Sequence, residues 1–270
     1  MDRYESDHFA TLDNVKRIWA VSAIHSDVDA LITLHEEILK RLTFEDGVIY
    51  LGNIIGKGLK VRETIDELLS FRRHLIALNG TCQTTNKVIF LRGAQEEMWH
   101  KLLQVQLAIN PVEIIEWLSH QGVNTTLLAY DGTIDEGLYN ARGGARDLAR
   151  WTNKLRDSIS MHPGHREFLS SLKRAAVTNQ GSLLFVNCGL DPQRPLDAQR
   201  DSFWWDTNGF EKINSSFCGF KKVIRGYSPH HPGIQDKDYK VTIDSGAGSG
   251  GSLIAACIDN NGQLIDWISS

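Results

Sequence analysis

Three observations predict an α/β fold for this sequence. Its first half repeats a short apolar strand, a loop and an amphipathic helix three times. Its middle is helical, and its last third returns to short apolar strands separated by turns rich in Gly and Pro. Because no linker, repeat or low-complexity tract divides the 270 residues, we expect one domain over 1–270.

Each repeat of the first half has its own strand and helix. The strands are predicted over 17–23, 48–51 and 87–91. The apolar residues that recur at helical spacing are Val28, Leu31, Leu34, Ile38 and Leu42, then Ile65, Leu68 and Leu69, then Met98, Leu102, Leu103 and Val105. In such a fold, chemistry is expected in the loops beyond the carboxyl ends of the strands.

The rest of the chain divides into a helical middle and five further strands. The middle extends from about 111 to 175, and the strands are predicted over 182–186, 222–224, 239–243, 252–258 and 264–268. Basic residues make up one side of the helical middle; they are Arg142, Arg146, Arg150, Lys154 and Arg156. We interpret that side as a solvated helix face, and a binding surface is the alternative.

Composition and charge exclude several classes of function. Apolar residues make up 41% and charged residues 23% of the chain, which is typical of a globular protein. A net charge of −4 gives little attraction to a phosphate backbone, so we expect no nucleic-acid partner. No apolar stretch is long enough to span a membrane, and the first residues lack the pattern of a signal peptide. We expect a cytoplasmic protein whose cysteines, Cys82, Cys188, Cys218 and Cys257, are reduced.

Two glycine motifs resemble nucleotide-binding motifs. Gly246, Gly248 and Gly251 satisfy G-x-G-x-x-G, but a strand follows them where a dinucleotide site needs a helix. We interpret these glycines as a tight turn between two strands. The segment 56–58 (GKG) resembles part of a P-loop, but it lacks the Ser or Thr that binds Mg²⁺.

Six loops carry the most informative residues. They are 22–26 (SAIHS), 51–58 (LGNIIGKG), 91–97 (LRGAQEE), 185–192 (FVNCGLDP), 226–229 (GYSP) and 243–248 (IDSGAG). In order and spacing they resemble the motifs of the calcineurin-like metallophosphoesterases, especially the bacterial serine/threonine phosphatase branch near diadenosine tetraphosphatase. That family carries G-D-x-H-G, G-D-x-x-D-R-G, G-N-H-E, a strand ending in H-A-G, G-H-T-P and a D-T-G turn.

The resemblance covers about 16 to 268, nearly the whole chain. It implies a four-layer α/β/β/α sandwich of two mixed sheets flanked by helices. It also implies a mostly helical inserted segment at about 120–180 beside the site.

The departures from the family pattern decide the expected function. The positions that the resemblance assigns to the two metal ions of the family are Ala23, His25, Asn53, Ala94, Asn187 and Tyr227. Of these only His25 keeps the family's residue. The general acid of the family corresponds to Gln95, and the Asp that orients it corresponds to Gly56. The phosphate-binding Arg corresponds to Lys57, which keeps the charge but not the planar fork.

These replacements imply that no dinuclear metal centre and no catalytic residue remain. Two divalent ions about 4 Å apart need a bridging carboxylate, and none of the matched positions carries one. Gln95 donates a hydrogen bond but transfers no proton at neutral pH. We therefore expect no cofactor, and at most one divalent ion held weakly at His25. The expected function is that of a pseudophosphatase, which acts by binding.

The expected binding partners are a protein and a phosphate-bearing small ligand. The candidate ligand-binding residues are Lys57, Arg92, His25, Asn53, Asn187 and Tyr227. Pairing of Lys57 or Arg92 with local carboxylates is the alternative for these two cations. The protein partner would be an active relative or a second copy of the chain. If 203–205 is a strand, one ring of the pair Trp204 and Trp205 faces outward as an interface anchor.

An active phosphoesterase with a rebuilt metal site is the alternative function. Its ligands would come from His25, His230, His231, Asp191 and Asp206. Cys188 is next to Asn187, but we interpret it as a buried, inert thiol.

Overall fold

We describe the fold from a computed structural model, in which residues 8–79, 87–179 and 181–270 are described. The strands are β1 (Phe9–Leu12), β2 (Arg17–Val21), β3 (Asp46–Tyr50), β4 (Val88–Phe90), β5 (Ala175–Thr178), β6 (Leu183–Val186), β7 (Lys222–Arg225), β8 (Gly233–Asp236), β9 (Lys240–Asp244), β10 (Ile254–Asp259) and β11 (Leu264–Ser269). The helices are α1 (Val28–Arg41), α2 (Val61–Asn79), α3 (Ala94–Leu103), α4 (Pro111–Ser119), α5 (Val123–Ala129), α6 (Ile134–Gly143), α7 (Ala145–Ser160), α8 (His165–Ser171), α9 (Ser202–Trp205) and α10 (Thr207–Glu211). Cys188, Cys218 and Cys257 are free thiols, and Cys82 lies outside the described residues.

The strands form two mixed sheets, as predicted. One sheet has the order β1-β5-β6-β7-β9-β8, and the other has the order β11-β10-β2-β3-β4. Because α1 connects β2 to β3 and α2 connects β3 to β4, these three strands run parallel. β10 is antiparallel to both β2 and β11. The carboxyl ends of β2, β3 and β4 therefore meet at one edge of their sheet.

Alternation along the strands separates two cores. On β2, Ile18 and Ala20 belong to the apolar cluster between the two sheets, whereas Trp19 and Val21 pack with the helices. Helices α1 and α2 cover the sheet that contains β2. On the other sheet, Phe203 of α9 packs edge-to-face against Phe9 of β1. The layers are thus helix, sheet, sheet and helix, as expected.

Sequence reasoning missed β1, β5 and β8. Each has four residues, and none is a run of large apolar side chains like that of β6. The helical prediction also extended too far, because α8 ends at Ser171 and β5 begins at Ala175. Residues 202–205 form the short helix α9 and not a strand.

Two further predictions can be compared with the structure. The glycine-rich segment after β9 turns the chain into β10, and Gly246 and Gly248 adopt φ values of +83° and +72° that favour glycine. Its interpretation as a turn between strands is confirmed. In the described part of the chain, no helix combines the length and the apolarity that a membrane span requires.

Candidate ligand site

The loops after β2, β3, β4, β6 and β7 converge and are joined by backbone hydrogen bonds. The amides of Ile24 and His25 donate to the carbonyl oxygen of Asn53, at 3.0 and 2.8 Å. The amide of Ala23 donates to Gly226, whose own amide donates to Asn187. Outside these loops opens a cavity of about 480 Å³. The residues that line it are His25, Asn53, Lys57, Ala94, Gln95, Met98, His120, Gln121, Gly122, Cys188, Trp204, Trp205, Thr207, Tyr227 and Pro229.

The structure brings six of the candidate site residues to this cavity. They are His25, Asn53, Lys57, Ala94, Gln95 and Tyr227. Ala23, Gly56, Arg92 and Asn187 lie close to it in the chain but do not line it.

Glu96 holds the loop after β3 in place. Its carboxylate is buried and accepts hydrogen bonds from the amides of Asn53 (3.0 Å), Ile54 (2.7 Å), Ile55 (2.9 Å) and Gly93 (2.6 Å). Burial raises the pKa of Glu96, and the four amide donors oppose that rise. The residue corresponds to the Glu of G-N-H-E, so this structural part of the family motif is present.

The side-chain amides of Asn53 and Asn187 form hydrogen bonds with backbone groups. Oδ1 of Asn53 accepts from the amide of Gln95 at 3.1 Å. Oδ1 of Asn187 accepts from the amide of Ala94 at 3.3 Å, and its Nδ2 donates to the carbonyl of Leu51 at 2.7 Å. Both side chains therefore tie neighbouring loops together.

Gln95 occupies the space that Gly56 leaves open. Its Nε2 donates to the carbonyl oxygen of Gln121 at 2.7 Å, which connects α3 to the end of α4. Gln95 thus joins the site loops to the helical middle of the chain.

Arg92 turns away from the cavity. Its Nη1 lies 3.1 Å from Oε2 of Glu97, and its side chain is largely buried. The pairing that the sequence left open for Arg92 is therefore observed. Its carbonyl oxygen accepts the indole N–H of Trp204 at 2.9 Å, which fixes that ring in the core.

His25 is the unusual side chain of the site. It is 1% exposed, and neither ring nitrogen has a hydrogen-bond partner in the described residues. Burial, with smaller contributions from the charges of Lys57 and His231, lowers its pKa to about 3, against a weak opposing effect of the Ile55 backbone. The imidazole is therefore neutral at physiological pH, with one nitrogen as a donor and the other as an acceptor.

Lys57 and Tyr227 complete this side of the cavity. Lys57 Nζ donates to Ser249 Oγ at 3.2 Å and lies 5.7 Å from the centre of the Tyr227 ring. Burial lowers the pKa of Lys57, and the charge of Asp244 opposes the fall. Burial also raises the pKa of Tyr227, so its phenol stays protonated. Lys57 forms no salt bridge with a described residue. Pairing with a local carboxylate, the alternative considered for Lys57, is therefore not observed among these residues.

The candidate replacement ligands do not gather at the cavity. His231 Nδ1 lies 2.9 Å from Asp244, and Asp206 caps α10 through the amide of Gly209. Asp191 pairs with Arg194 at 3.1 Å. His230 is exposed and does not line the cavity.

Cys188 is the nucleophile candidate at the cavity. Burial raises the pKa of its thiol to about 12, against the charge of Arg225. A protonated thiol is a poor nucleophile, which agrees with an inert role.

The residues present do not fit the two metal ions of the related enzymes. A cation pair needs carboxylates, and no lining residue carries one. Two of the matched amides are used by the backbone, and the Tyr227 phenol remains protonated. His25 alone offers a free nitrogen at a matched position. The described residues also contain no group of three His, Cys, Asp or Glu side chains placed to hold a metal ion.

Sequence reasoning missed the outer wall of the cavity. His120, Gln121 and Gly122 follow α4, and Trp205 and Thr207 come from α9 and α10. None of these residues belongs to a motif. Their placement depends on how the helical middle packs against the sheets.

Comparisons with known proteins define the fold. No family model matches the chain, and no curated protein matches it. A structure described as that of a "putative diadenosine tetraphosphatase" is 18% identical and covers 97% of this chain and 98% of that one, with a TM-score of 0.53.

Two further solved structures are less similar. A Saccharomyces cerevisiae protein serine/threonine phosphatase with similarity to human PP5 is 15% identical over 92% of this chain and 76% of that one, with a TM-score of 0.49. A cold-active protein-tyrosine phosphatase of a Shewanella species is 15% identical over 97% of this chain and 85% of that one, also with a TM-score of 0.49.

The first similarity extends over nearly the full length of both chains. The protein therefore has the calcineurin-like metallophosphoesterase fold, as its loop motifs predicted. At 18% identity the similarity defines the fold alone, and the activity depends on the residues of the site.

Proposed function

We propose that this protein is a pseudophosphatase, a catalytically inactive protein with the metallophosphoesterase fold that acts by binding a protein partner or a phosphorylated ligand. The observation that supports this most is the chemistry of the cavity. Its described lining has no carboxylate, and the imidazole of His25 is neutral.

The same lining argues against phosphate-ester hydrolysis. In metal-dependent phosphoesterases, the ions lower the pKa of the attacking water from about 15.7 to about 7. Here no lining residue with a carboxylate is available to hold such ions or to act as a general base. Gln95 stands at the position of the general acid and donates its amide to Gln121. The site retains groups that bind, and at the position of the general acid it has an amide that transfers no proton.

Lys57 supports the binding of a phosphorylated ligand. It is the cation that lines the cavity, and its charge is not neutralised by a salt bridge within the described residues. A phosphate at the cavity would accept hydrogen bonds from Lys57 and from the donor nitrogen of His25.

Two tryptophan rings support a protein partner at the mouth of the cavity. Trp205 is 40% exposed and meets Trp117, which is 47% exposed, edge-to-face with 6.2 Å between ring centres. Paired aromatic rings of this kind are frequent anchors in protein interfaces. The partner would be an active relative or a second copy of the chain.

Metal content and turnover test the inactive assignment. We would measure bound metals of the untagged protein by plasma mass spectrometry and p-nitrophenyl phosphate hydrolysis in added Mn²⁺. We expect far less than one metal ion per chain, and no turnover above that of His25→Ala. About two metal ions per chain with Mn²⁺-dependent turnover would contradict the proposal. That result would indicate an active enzyme whose ligands lie outside the matched positions.

Binding of inorganic phosphate tests the ligand. We expect Lys57→Gln to weaken the affinity about ten-fold, the size of one charge-assisted hydrogen bond. Lys60→Gln is the matched control, because Lys60 lies on the same loop but pairs with Asp29 at 2.6 Å. Equal affinities for wild type and Lys57→Gln would overturn the phosphate part of the proposal.

A further inference from the structure

A second cavity lies among the helices, away from the site loops. It has a volume of about 210 Å³ and lies where α3, α7 and α8 meet. Glu96, at the start of α3, is the one lining residue that also contacts the loop after β3. The residues considered for phosphatase chemistry, the matched positions and the replacement ligands, do not line this cavity.

Three side chains of this cavity are donors of hydrogen bonds. Trp99 is 2% exposed, and its indole Nε1–H is buried without a partner in the described residues. Arg166 makes no hydrogen bond or ion pair with a described residue. Arg156 donates to neutral acceptors, Oδ1 of Asn153 at 2.8 Å and the carbonyl oxygen of Leu103. Within the described residues, no carboxylate pairs with either guanidinium.

Three aliphatic side chains form the apolar part of the cavity wall. Leu103, Ile159 and Leu169 line it, one from each of the three helices. A cavity of about 150 Å³ with apolar walls holds a benzene molecule. A volume of about 210 Å³ therefore leaves room for a six-membered ring and one small charged group.

The one carboxylate among the lining residues, that of Glu96, already accepts hydrogen bonds from the backbone. Both oxygens of Glu96 accept backbone amides, Oε1 from Ile54 and Ile55 and Oε2 from Asn53 and Gly93. Its negative charge is thus opposed by four donors on the side of the site loop. Ser170, another polar lining residue, donates its hydroxyl to the carbonyl of Glu167.

We propose that this cavity is a binding site for a small amphipathic carboxylate, with the carboxylate at Arg166, Arg156 and the Trp99 indole N–H and the apolar body among Leu103, Ile159 and Leu169. The polar groups available to the ligand are donors, so the ligand must supply acceptors. Two guanidinium groups without carboxylate partners select a negative charge. The ligand class is an aromatic or short branched-chain carboxylic acid of about ten non-hydrogen atoms.

The charge around His100 agrees with an anion site. His100 lines the cavity, and its pKa is lowered mainly by burial and further by the charges of Arg92, Lys101 and Arg156, while Glu97 opposes the fall. Of these three cations Arg156 also lines the cavity, whereas Arg92 and Lys101 pair with Glu97. A bound carboxylate would face the charge of Arg156.

Benzoate is the probe for this site, and benzamide is its neutral isostere. Binding to the full chain would be followed by calorimetry and by the indole N–H resonance of Trp99. We expect benzoate to bind, to shift that resonance, and to bind at least about ten-fold more tightly than benzamide. Equal affinities for the two probes, or no shift of the Trp99 resonance, would overturn the proposal.

Three variants distinguish binding in this cavity from general attraction of an anion to positive surface charge. Arg166→Gln removes an exposed charge at the cavity, and Trp99→Phe removes the N–H while keeping an aromatic ring. We expect each to weaken benzoate binding about five- to ten-fold. Arg146→Gln is the control, because Arg146 is exposed on α7 outside the cavity, and it should leave the affinity unchanged. An equal loss in Arg146→Gln and Arg166→Gln would show attraction to the basic helix face and contradict the site.

Discussion

Gly56 and Gln95 share one space: a Cβ atom on Gly56 would lie 2.2 Å from Oε1 of Gln95. Gly56 also has a φ of +82°, a conformation that side chains disfavour. The resemblance to the metallophosphoesterases assigns these two positions to an orienting Asp and a general-acid His. In this chain the absence of a side chain at Gly56 leaves room for Gln95, which connects two parts of the fold.

A double-mutant cycle tests that relationship. Gly56→Ala should cost about 3 kcal/mol in the free energy of unfolding, from the strained backbone and the contact with Gln95. In a Gln95→Ala background the same change should cost about 1 kcal/mol, because only the backbone strain remains. Chemical denaturation of the four proteins measures both values. Equal costs in the two backgrounds would show that the positions are independent.

The carboxylate of Glu96 should contribute strongly to stability. In Glu96→Gln, one oxygen becomes an NH₂ group that faces backbone donors, so about 3 kcal/mol should be lost. Glu113→Gln is the matched control on an exposed face of α4 and should change the stability by less than about 0.5 kcal/mol. Urea denaturation provides the measurement, and a loss in Glu96→Gln as small as in the control would contradict the role assigned to Glu96.

His25 should make the fold sensitive to acid. Its pKa is about 3 in the folded protein against an ordinary value of about 6.5, so below pH 6.5 the unfolded chain binds a proton that the folded chain does not. The contribution to stability is complete above about pH 6.5 and is lost at about 1.4 kcal/mol per pH unit as the pH falls towards 3.

Comparison of His25→Gln with wild type isolates this contribution. The variant lacks the titrating group, so the difference in unfolding free energy between the two proteins should change between pH 7 and pH 5. His120→Gln, which changes an exposed histidine at the same cavity, should follow wild type throughout. A constant difference between wild type and His25→Gln would mean that His25 titrates normally.

Two adjacent tryptophans should respond differently to truncation. Trp204 is 2% exposed and donates its indole N–H to Arg92, so Trp204→Ala should cost about 3–5 kcal/mol in stability. Trp205 is 40% exposed, so Trp205→Ala should cost less than about 1 kcal/mol. Similar losses in thermal unfolding would contradict the assignment of Trp204 to the core and Trp205 to the surface.

The fold could be predicted because its signals are local or ordered along the chain. The three strand–helix repeats and the order of the glycine-rich loops can both be recognised in a single sequence. The observed sheets agree with them. The missed strands β1, β5 and β8 have four residues each; β1 and β5 pair with each other from distant parts of the chain, whereas β8 pairs with the next strand, β9. Short strands are defined by such partners more than by their own residues.

The candidate site could be predicted only in part. Of the candidate residues that the resemblance named, six line the cavity. The sequence left open whether Arg92 pairs with a local carboxylate, which the structure shows to be Glu97, and it did not reveal that Trp205 and Gln121 form the outer wall. Those facts depend on side-chain direction and on helix packing.

The sequence by itself determined the order of strands and helices, the glycine loops and the loss of carboxylates at the matched positions. These properties follow from residue type and spacing, which are known before the chain is folded. Only the tertiary structure decided which side-chain amides bond to the backbone. It alone also decided that Lys57 forms no salt bridge with a described residue and that His25 is buried without a hydrogen-bond partner among those residues. A pKa or a hydrogen bond depends on groups brought together from distant parts of the chain, so the chemistry of the site became apparent only once the loops had converged.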